Sequence, residues 1–301
     1  MTRKIRSTAA IALCCAVAGA ALTGCDDVSG TDSFPFGSAS PKKAADGFTG
    51  AKKIEIAGKS VHVSCAGGAA KNEPVIVLMP GLGDGLDKMS AVQKTLAEKN
   101  RVCSYDRLGE GKSDRPDGPQ SLAATGKVLT GVIDRVAGDG PVVLAGHSLG
   151  GMIAARYAPD HKGAVKGLVL LDATSPTSAA DIENAIPASA TGPAAELRAK
   201  SLAVGKGQNP EKLVFGDGKV RSAGSIPVEV IGHGKQYLAA VPQYGPGLER
   251  AWTAGQRKWL AVSGRSKAST AEKSEHYIYA DQPDVAVKAI QRVAAQAADA
   301  A

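Results

Sequence analysis

Gly146-His147-Ser148-Leu149-Gly150 has the form G-x-S-x-G, in which a serine on a strained turn between strand and helix presents its hydroxyl as a nucleophile. Pro141-Val142-Val143-Leu144-Ala145 reads as the strand entering that turn, and Gly151-Met152-Ile153-Ala154-Ala155-Arg156-Tyr157 as the helix leaving it. The bare pattern is weak in a chain with 36 glycines, and its setting gives it force. Glycines two residues to either side let backbone segments pass where a Cβ would clash. A serine hydroxyl needs a base to act in acyl transfer, and five histidines are available. His147 lies inside the turn, His62 in an alternating strand pattern, His161 in a Pro-Asp-His loop, and His233 at a strand end. His276 follows the last core segment and precedes a terminal helix.

The elements that must position these residues follow from apolar patterning. Residues 53–56 and 60–64 alternate about Gly58 as a β-hairpin with one buried face. Beyond Gly68, short apolar runs at 74–79, 101–105, 141–146, 165–171 and 227–231 predict strands of a mostly parallel sheet buried on both faces. Helical patterns at 86–99, 121–136 and 149–157 separate them, and others follow at 248–262 and 285–298. Residues 173–225, rich in Ala, Ser, Gly and Pro with a helical fragment at 194–204, break this rhythm. They read as a cap inserted over the carboxyl edge of the sheet. A polar last strand is expected near 267–270.

At these residues the chain resembles the α/β-hydrolase superfamily, particularly its esterase-like members, from about Lys53 onward. The likeness implies an α/β fold with a mostly parallel central sheet flanked by helices and a short cap. Met79-Pro80-Gly81-Leu82-Gly83-Asp84 stands where relatives often carry His-Gly, with Pro80 replacing the histidine. The resemblance assigns the oxyanion hole to the backbone N–H groups of Leu82 and Leu149. Tyr105-Asp106-Arg107-Leu108-Gly109-Glu110-Gly111-Lys112-Ser113 is similar to the family loop after the fourth strand. Its ending imitates a phosphate-binding loop, but Asp106 takes the place of the first glycine, which discounts nucleotide binding.

The segment from His276 to Pro283 resembles the family's histidine loop, and the order Ser, acid, His fits, leaving His233 as the rival base. Relatives often place the acid after the strand at 227–231, where this chain has Gly232-His233-Gly234-Lys235-Gln236. Asp172, ending the preceding strand, is the first candidate and Glu249 the second. The family strand order 1-2-4-3-5-6-7-8 sets the strand ending at Cys65 beside that of Cys103, so a structural disulfide is expected. The resemblance implies no metal and no organic cofactor. The serine where dehalogenase relatives carry a carboxylate argues against that chemistry.

The amino terminus has the layout of an export signal: Arg3, Lys4 and Arg6, an apolar stretch over about 9–22, then small residues. Leu22-Thr23-Gly24-Cys25 resembles a bacterial lipobox, which makes 1–24 a lipoprotein signal peptide and Cys25 the lipid-bearing first residue. Residues 25–50 then read as a flexible tether and 51–301 as the hydrolase domain, anchored outside the cytoplasm on the cell membrane. Two cysteines, Cys65 and Cys103, remain in that domain. The formal charge of +7 falls when the three basic residues of the signal leave, to 33 basic against 29 acidic residues. With aromatics at 4% and no basic run, nucleic-acid binding is unsupported. A small-molecule ester or acyl substrate is expected, with peptidase, thioesterase or lactonase chemistry as alternatives on the same triad. A non-catalytic ligand-binding lipoprotein is the alternative of another class.

Overall fold

A computed structural model describes residues 45–68 and 73–299, all within one compact unit, Lys42–Ala301. The signal segment expected at 1–24, the cysteine expected to bear lipid, Cys25, and most of the tether expected at 25–50 lie outside the described residues.

An eight-stranded sheet organises the unit: β1 Gly50–Ile56, β2 Lys59–Ala66, β3 Val75–Met79, β4 Val102–Tyr105, β5 Val142–His147, β6 Val165–Leu171, β7 Pro227–His233 and β8 Arg265–Ala271. Their spatial order is β1-β2-β4-β3-β5-β6-β7-β8. Strand β2 pairs antiparallel with β1 and β4, and β3 onward are parallel. Ala57 and Gly58, at φ of 51° and 75°, form the two-residue hairpin loop between β1 and β2, as the right-handed strand twist favours. Cys65 and Cys103 face each other in the β2–β4 register and are joined by a disulfide.

The continuous apolar runs are explained by burial on both faces. Val75, Val77, Val142 and Leu144 point into one layer with Leu129, Val132 and Met152, while Ile76, Leu78, Val143 and Ala145 point into the other with Leu96, Ile290 and Val293. Period-2 alternation therefore separates two cores rather than core from solvent. Helices α1 Ser90–Leu96 and α7 Pro283–Ala298 cover one face, and α2 Leu122–Val136 and α3 Ser148–Tyr157 the other. In α2 the buried Thr125, Val128, Leu129, Val132, Ile133 and Val136 form one helical stripe. Its first turn is capped by Ser121, whose hydroxyl accepts from Ala124 N–H at 3.1 Å.

Strand β8 is longer than the 267–270 expected, and it is polar because it lies at the sheet edge with most residues exposed. Residues between β6 and β7 carry α4 Ser178–Ala185 and α5 Gly192–Gly205, which pack with α6 Gly245–Lys258 around Ile186, Ala194 and Leu248. Leu213–Val214 of this insertion pairs with Gln120–Ser121 of the main body.

Candidate active site

Strand β5 runs through His147 directly into α3, and Ser148 between them has φ of 49°. The flanking glycines are sterically required. A Cβ on Gly146 would lie 2.5 Å from the Gly151 nitrogen, and one on Gly150 would lie 2.3 Å from the Met79 carbonyl oxygen. Asp172 ends the neighbouring strand β6, also left-handed at φ of 45°. Left-handed backbone costs an L-residue roughly 1–2 kcal/mol, and here hydrogen bonds hold it. Thr174 N–H donates to Ser148 O at 3.0 Å, and Asp172 N–H to Ile231 O at 2.8 Å.

The Asp172 carboxylate is fully buried and heavily bonded. His276 donates through Nδ1 to Oδ2 at 2.7 Å, Trp252 through Nε1 to Oδ1 at 2.8 Å, and the His233 backbone N–H to Oδ1 at 3.2 Å. The His233 ring adds Nδ1 contacts at 2.9 and 3.0 Å. Burial alone would raise this carboxyl, but bonds from His233 and His276 hold it at about 2, so it is an anion. Hence His276 carries its proton on Nδ1 and leaves Nε2 as a lone pair, the tautomer a general base requires.

Glu249 is not bound to His276; its Oε2 meets His233 Nε2 at 2.9 Å. His233, the rival base, is 3% exposed with both ring nitrogens engaged, so it has no free lone pair for a serine.

His147 ties the two ends of the site together. Its Nε2 donates to the His276 carbonyl at 2.9 Å, and its ring lies 4.5 Å from the His276 ring. Burial, then the nearby His276, depresses its basicity to about 3, so it stays neutral. A Cβ on Gly81 would sit 2.8 Å from His147 Nδ1, which is why this loop needs glycine there. Ser148 is half-buried beside these groups, and among the described residues no hydrogen bond joins its Oγ to His276. Such contacts commonly tighten only when substrate is bound.

The loop after β3 is held from beneath by Arg107. Its Nη1 and Nη2 donate to the carbonyls of Pro80 and Gly81 at 2.6 and 2.8 Å, and its remaining contacts are a two-pronged pair with Glu211 of the insertion at 2.8 and 2.9 Å. Glu110 accepts from Gly83 N–H at 2.9 Å, and burial pushes its carboxyl up to about 7. Two carbonyls and one N–H are thus fixed on either side of Leu82, whose own N–H has no hydrogen-bond partner among the described residues. Leu149 N–H, in the first turn of α3, has no intrahelical acceptor by the geometry of helix starts. Leu82, Ser148 and Leu149 line one cavity of about 670 Å³, whose remaining lining is mainly apolar, with Leu197, Leu202, Phe215 and Trp252.

Sequence reasoning brought Ser148, Asp172, His276, Leu82 and Leu149 into view and missed Arg107, Glu211, Glu110 and Trp252. Arg107 and Glu110 lie in the loop singled out after the fourth strand, but Arg107 depends on a pairing 104 residues away and Glu110 on a backbone N–H 27 residues back, on another loop. Nothing in the patterning of the insertion marks Glu211.

A family profile described as alpha/beta hydrolase fold matches residues 74–199. Among curated proteins, an uncharacterized protein of Mycobacterium tuberculosis is 33% identical over 113 residues, 38% of this chain and 33% of its own. A mouse (lyso)-N-acylphosphatidylethanolamine lipase is 29% identical over 105 residues, 34% of this chain and 31% of its own. An uncharacterized fission-yeast (Schizosaccharomyces pombe) protein is 37% identical over 84 residues, 28% of this chain and 16% of its own, so the matches span a third or less of these relatives. Among solved structures, an enol-lactonase from Burkholderia xenovorans superposes with a TM-score of 0.57 at 18% identity, over 80% of this chain and 99% of that one. A thioesterase domain from the curacin biosynthetic pathway gives 0.53 at 16%, over 80% and 98%. The fold is the α/β-hydrolase fold, and profile and neighbours together support a member of that superfamily.

Proposed function

We propose that the chain is a serine hydrolase that cleaves carboxylic esters through an acyl-enzyme on Ser148. The observation that carries this reading is the 2.7 Å bond from His276 Nδ1 to a buried, ionised Asp172, set beside a serine held left-handed at a strand–helix turn. His276 Nε2 takes the Ser148 Oγ proton as Oγ attacks the ester carbonyl. The N–H groups of Leu82 and Leu149 receive the oxyanion, a contact whose loss costs about 2.7–4 kcal/mol in the barrier. Nε2–H then protonates the departing alcohol oxygen, and water, deprotonated by the same nitrogen, releases the acid. Asp172 keeps the imidazole in its useful tautomer and faces the imidazolium that forms.

The largely aliphatic cavity suits a substrate with an apolar acyl group. Lactonase or thioesterase chemistry would use the same groups, and relatives of those kinds share the fold. Labelling with a fluorophosphonate probe, with turnover of chromogenic esters of rising chain length, tests the reading. Labelling and turnover should both vanish in Ser148→Ala. An unlabelled wild type with no turnover on esters, thioesters or lactones would instead favour a ligand-binding role.

The proposed location is the outer face of the membrane, with diacylglyceryl on Cys25. Mass spectrometry of the mature chain should find that modified cysteine at its start, and Cys25→Ser should move the protein to the soluble fraction.

A further inference from the structure

His233 sits at the end of β7 with both ring nitrogens against carboxylates: Nδ1 on Asp172 at 2.9 and 3.0 Å, Nε2 on Glu249 at 2.9 Å. A neutral imidazole has one N–H, so it would turn a lone pair toward one of these groups. Neither carboxylate offers a proton in return. Asp172 is an anion by the bonds already described. Both Glu249 oxygens are engaged: Oε1 accepts from Leu238 and Ala239 N–H at 2.6 and 3.2 Å, and Oε2 faces His233 Nε2. Only the doubly protonated ring satisfies both ends. Burial opposes the charge, and the bonds to Asp172 and Glu249 outweigh it, raising His233 above the ordinary histidine range.

We propose that His233 is a positioning residue for the triad: an imidazolium clamped between Asp172 and Glu249 that fixes the Asp172 carboxylate for His276 and opposes a second positive charge there. The inference rests on the serine-hydrolase reading above. Its other neighbours leave that charge assignment intact. Tyr237 and Trp252 pack their rings 4.8 and 6.4 Å from the imidazole, and burial keeps Tyr237 protonated. Arg257 lines the same crevice as a cation, which works against the charge, and the two carboxylates in direct contact outweigh it.

The consequence is a charge effect with a sign. The two Nδ1 atoms of His233 and His276 share Asp172 Oδ2 at 2.9 and 2.7 Å, so they lie less than about 6 Å apart. A unit charge at that range moves a protonation midpoint by on the order of one to two pH units. Removing the cation in His233→Gln should shift the acid limb of kcat/KM upward by about that much. Glu249→Gln removes an anion, so its limb should move downward, by a smaller amount because Glu249 is one ring further away.

The test combines these profiles with histidine-ring 15N NMR of the intact wild-type protein. We expect both His233 nitrogens to carry protons at pH 8 and the two variants to move the limb in opposite directions. A His233 ring with one bare nitrogen at pH 8 would overturn the proposal whether or not the protein turns over esters. Limb positions unchanged in both variants, in a protein whose Ser148→Ala form is dead, would overturn the clamp and leave the serine-hydrolase reading standing. Loss of turnover without a shift would mark His233 as merely structural, and the NMR readout still decides the charge if a variant fails to fold.

Discussion

Replacing Glu211 by Gln leaves the Arg107 guanidinium buried without its counter-ion, since the two side chains are 2% and 0% exposed. Breaking a buried pair from one side costs about 3–5 kcal/mol, because the remaining charge cannot reach water. A unit of this size loses about 2–4 °C per kcal/mol, so the melting temperature should fall by roughly 6–20 °C. Replacing both partners, Arg107→Met with Glu211→Leu, removes the stranded charge and should restore most of that loss. Activity should not return with stability. Arg107 is also the donor to the carbonyls of Pro80 and Gly81, and without it Leu82 N–H is free to drift from the oxyanion position proposed for it. Loss of one such donor is about 10²–10³ in kcat. Thermal denaturation by circular dichroism and ester kinetics on the two variants give both numbers. A Glu211→Gln protein melting within 2 °C of wild type, or a double variant with full turnover, would refute the idea that this pair anchors the proposed oxyanion loop.

Asp172→Asn should lower kcat by about 10⁴ by presenting the wrong imidazole tautomer, and near-normal ester turnover would move the acid's role elsewhere. Glu110 holds its proton more tightly folded, at about 7, than at its ordinary 4.5, so its contribution is complete below 4.5 and lost as pH rises through 7. Denaturant titrations at pH 5 and 8 should therefore show stability falling by up to about 3 kcal/mol, and Glu110→Gln should flatten that slope. Removing the Cys65–Cys103 bond by a double serine substitution should cost about 2–4 kcal/mol, read as a lower denaturation midpoint with ester turnover little changed, since the bond lies away from the cavity.

What could be read from sequence was whatever is local. The strand entering Ser148, the turn and the helix leaving it are contiguous, so chemistry and geometry share one short segment, and the apolar runs of β3, β5 and β6 end within about a residue of expectation because both faces are buried. The polar strand β8 was legible only in part, since an edge strand has little apolar alternation to give. Helix α4 was unforeseen, having no fully buried residue to set a stripe. The choice between Asp172 and Glu249 was open for a spatial reason: both converge on one histidine, and which of them reaches His276 depends on where β7 ends relative to β6. Arg107 and Glu211 meet across 104 positions and two separate loops, and no spacing rule connects them.

The left-handed backbone at Ser148 and Asp172 places two of the five left-handed non-glycine residues among those described on adjacent strand ends, where the proposed chemistry needs them. Natural or laboratory selection for heat resistance alone would find an easy gain at Ser148, because glycine there relaxes the backbone, whereas glycine at Asp172 would strand the buried His233, Trp252 and His276 donors. Such lineages would grow sturdier as they lost the proposed nucleophile. A screen for robust variants of this protein therefore has to score turnover in the same round, or it will enrich for inert folds.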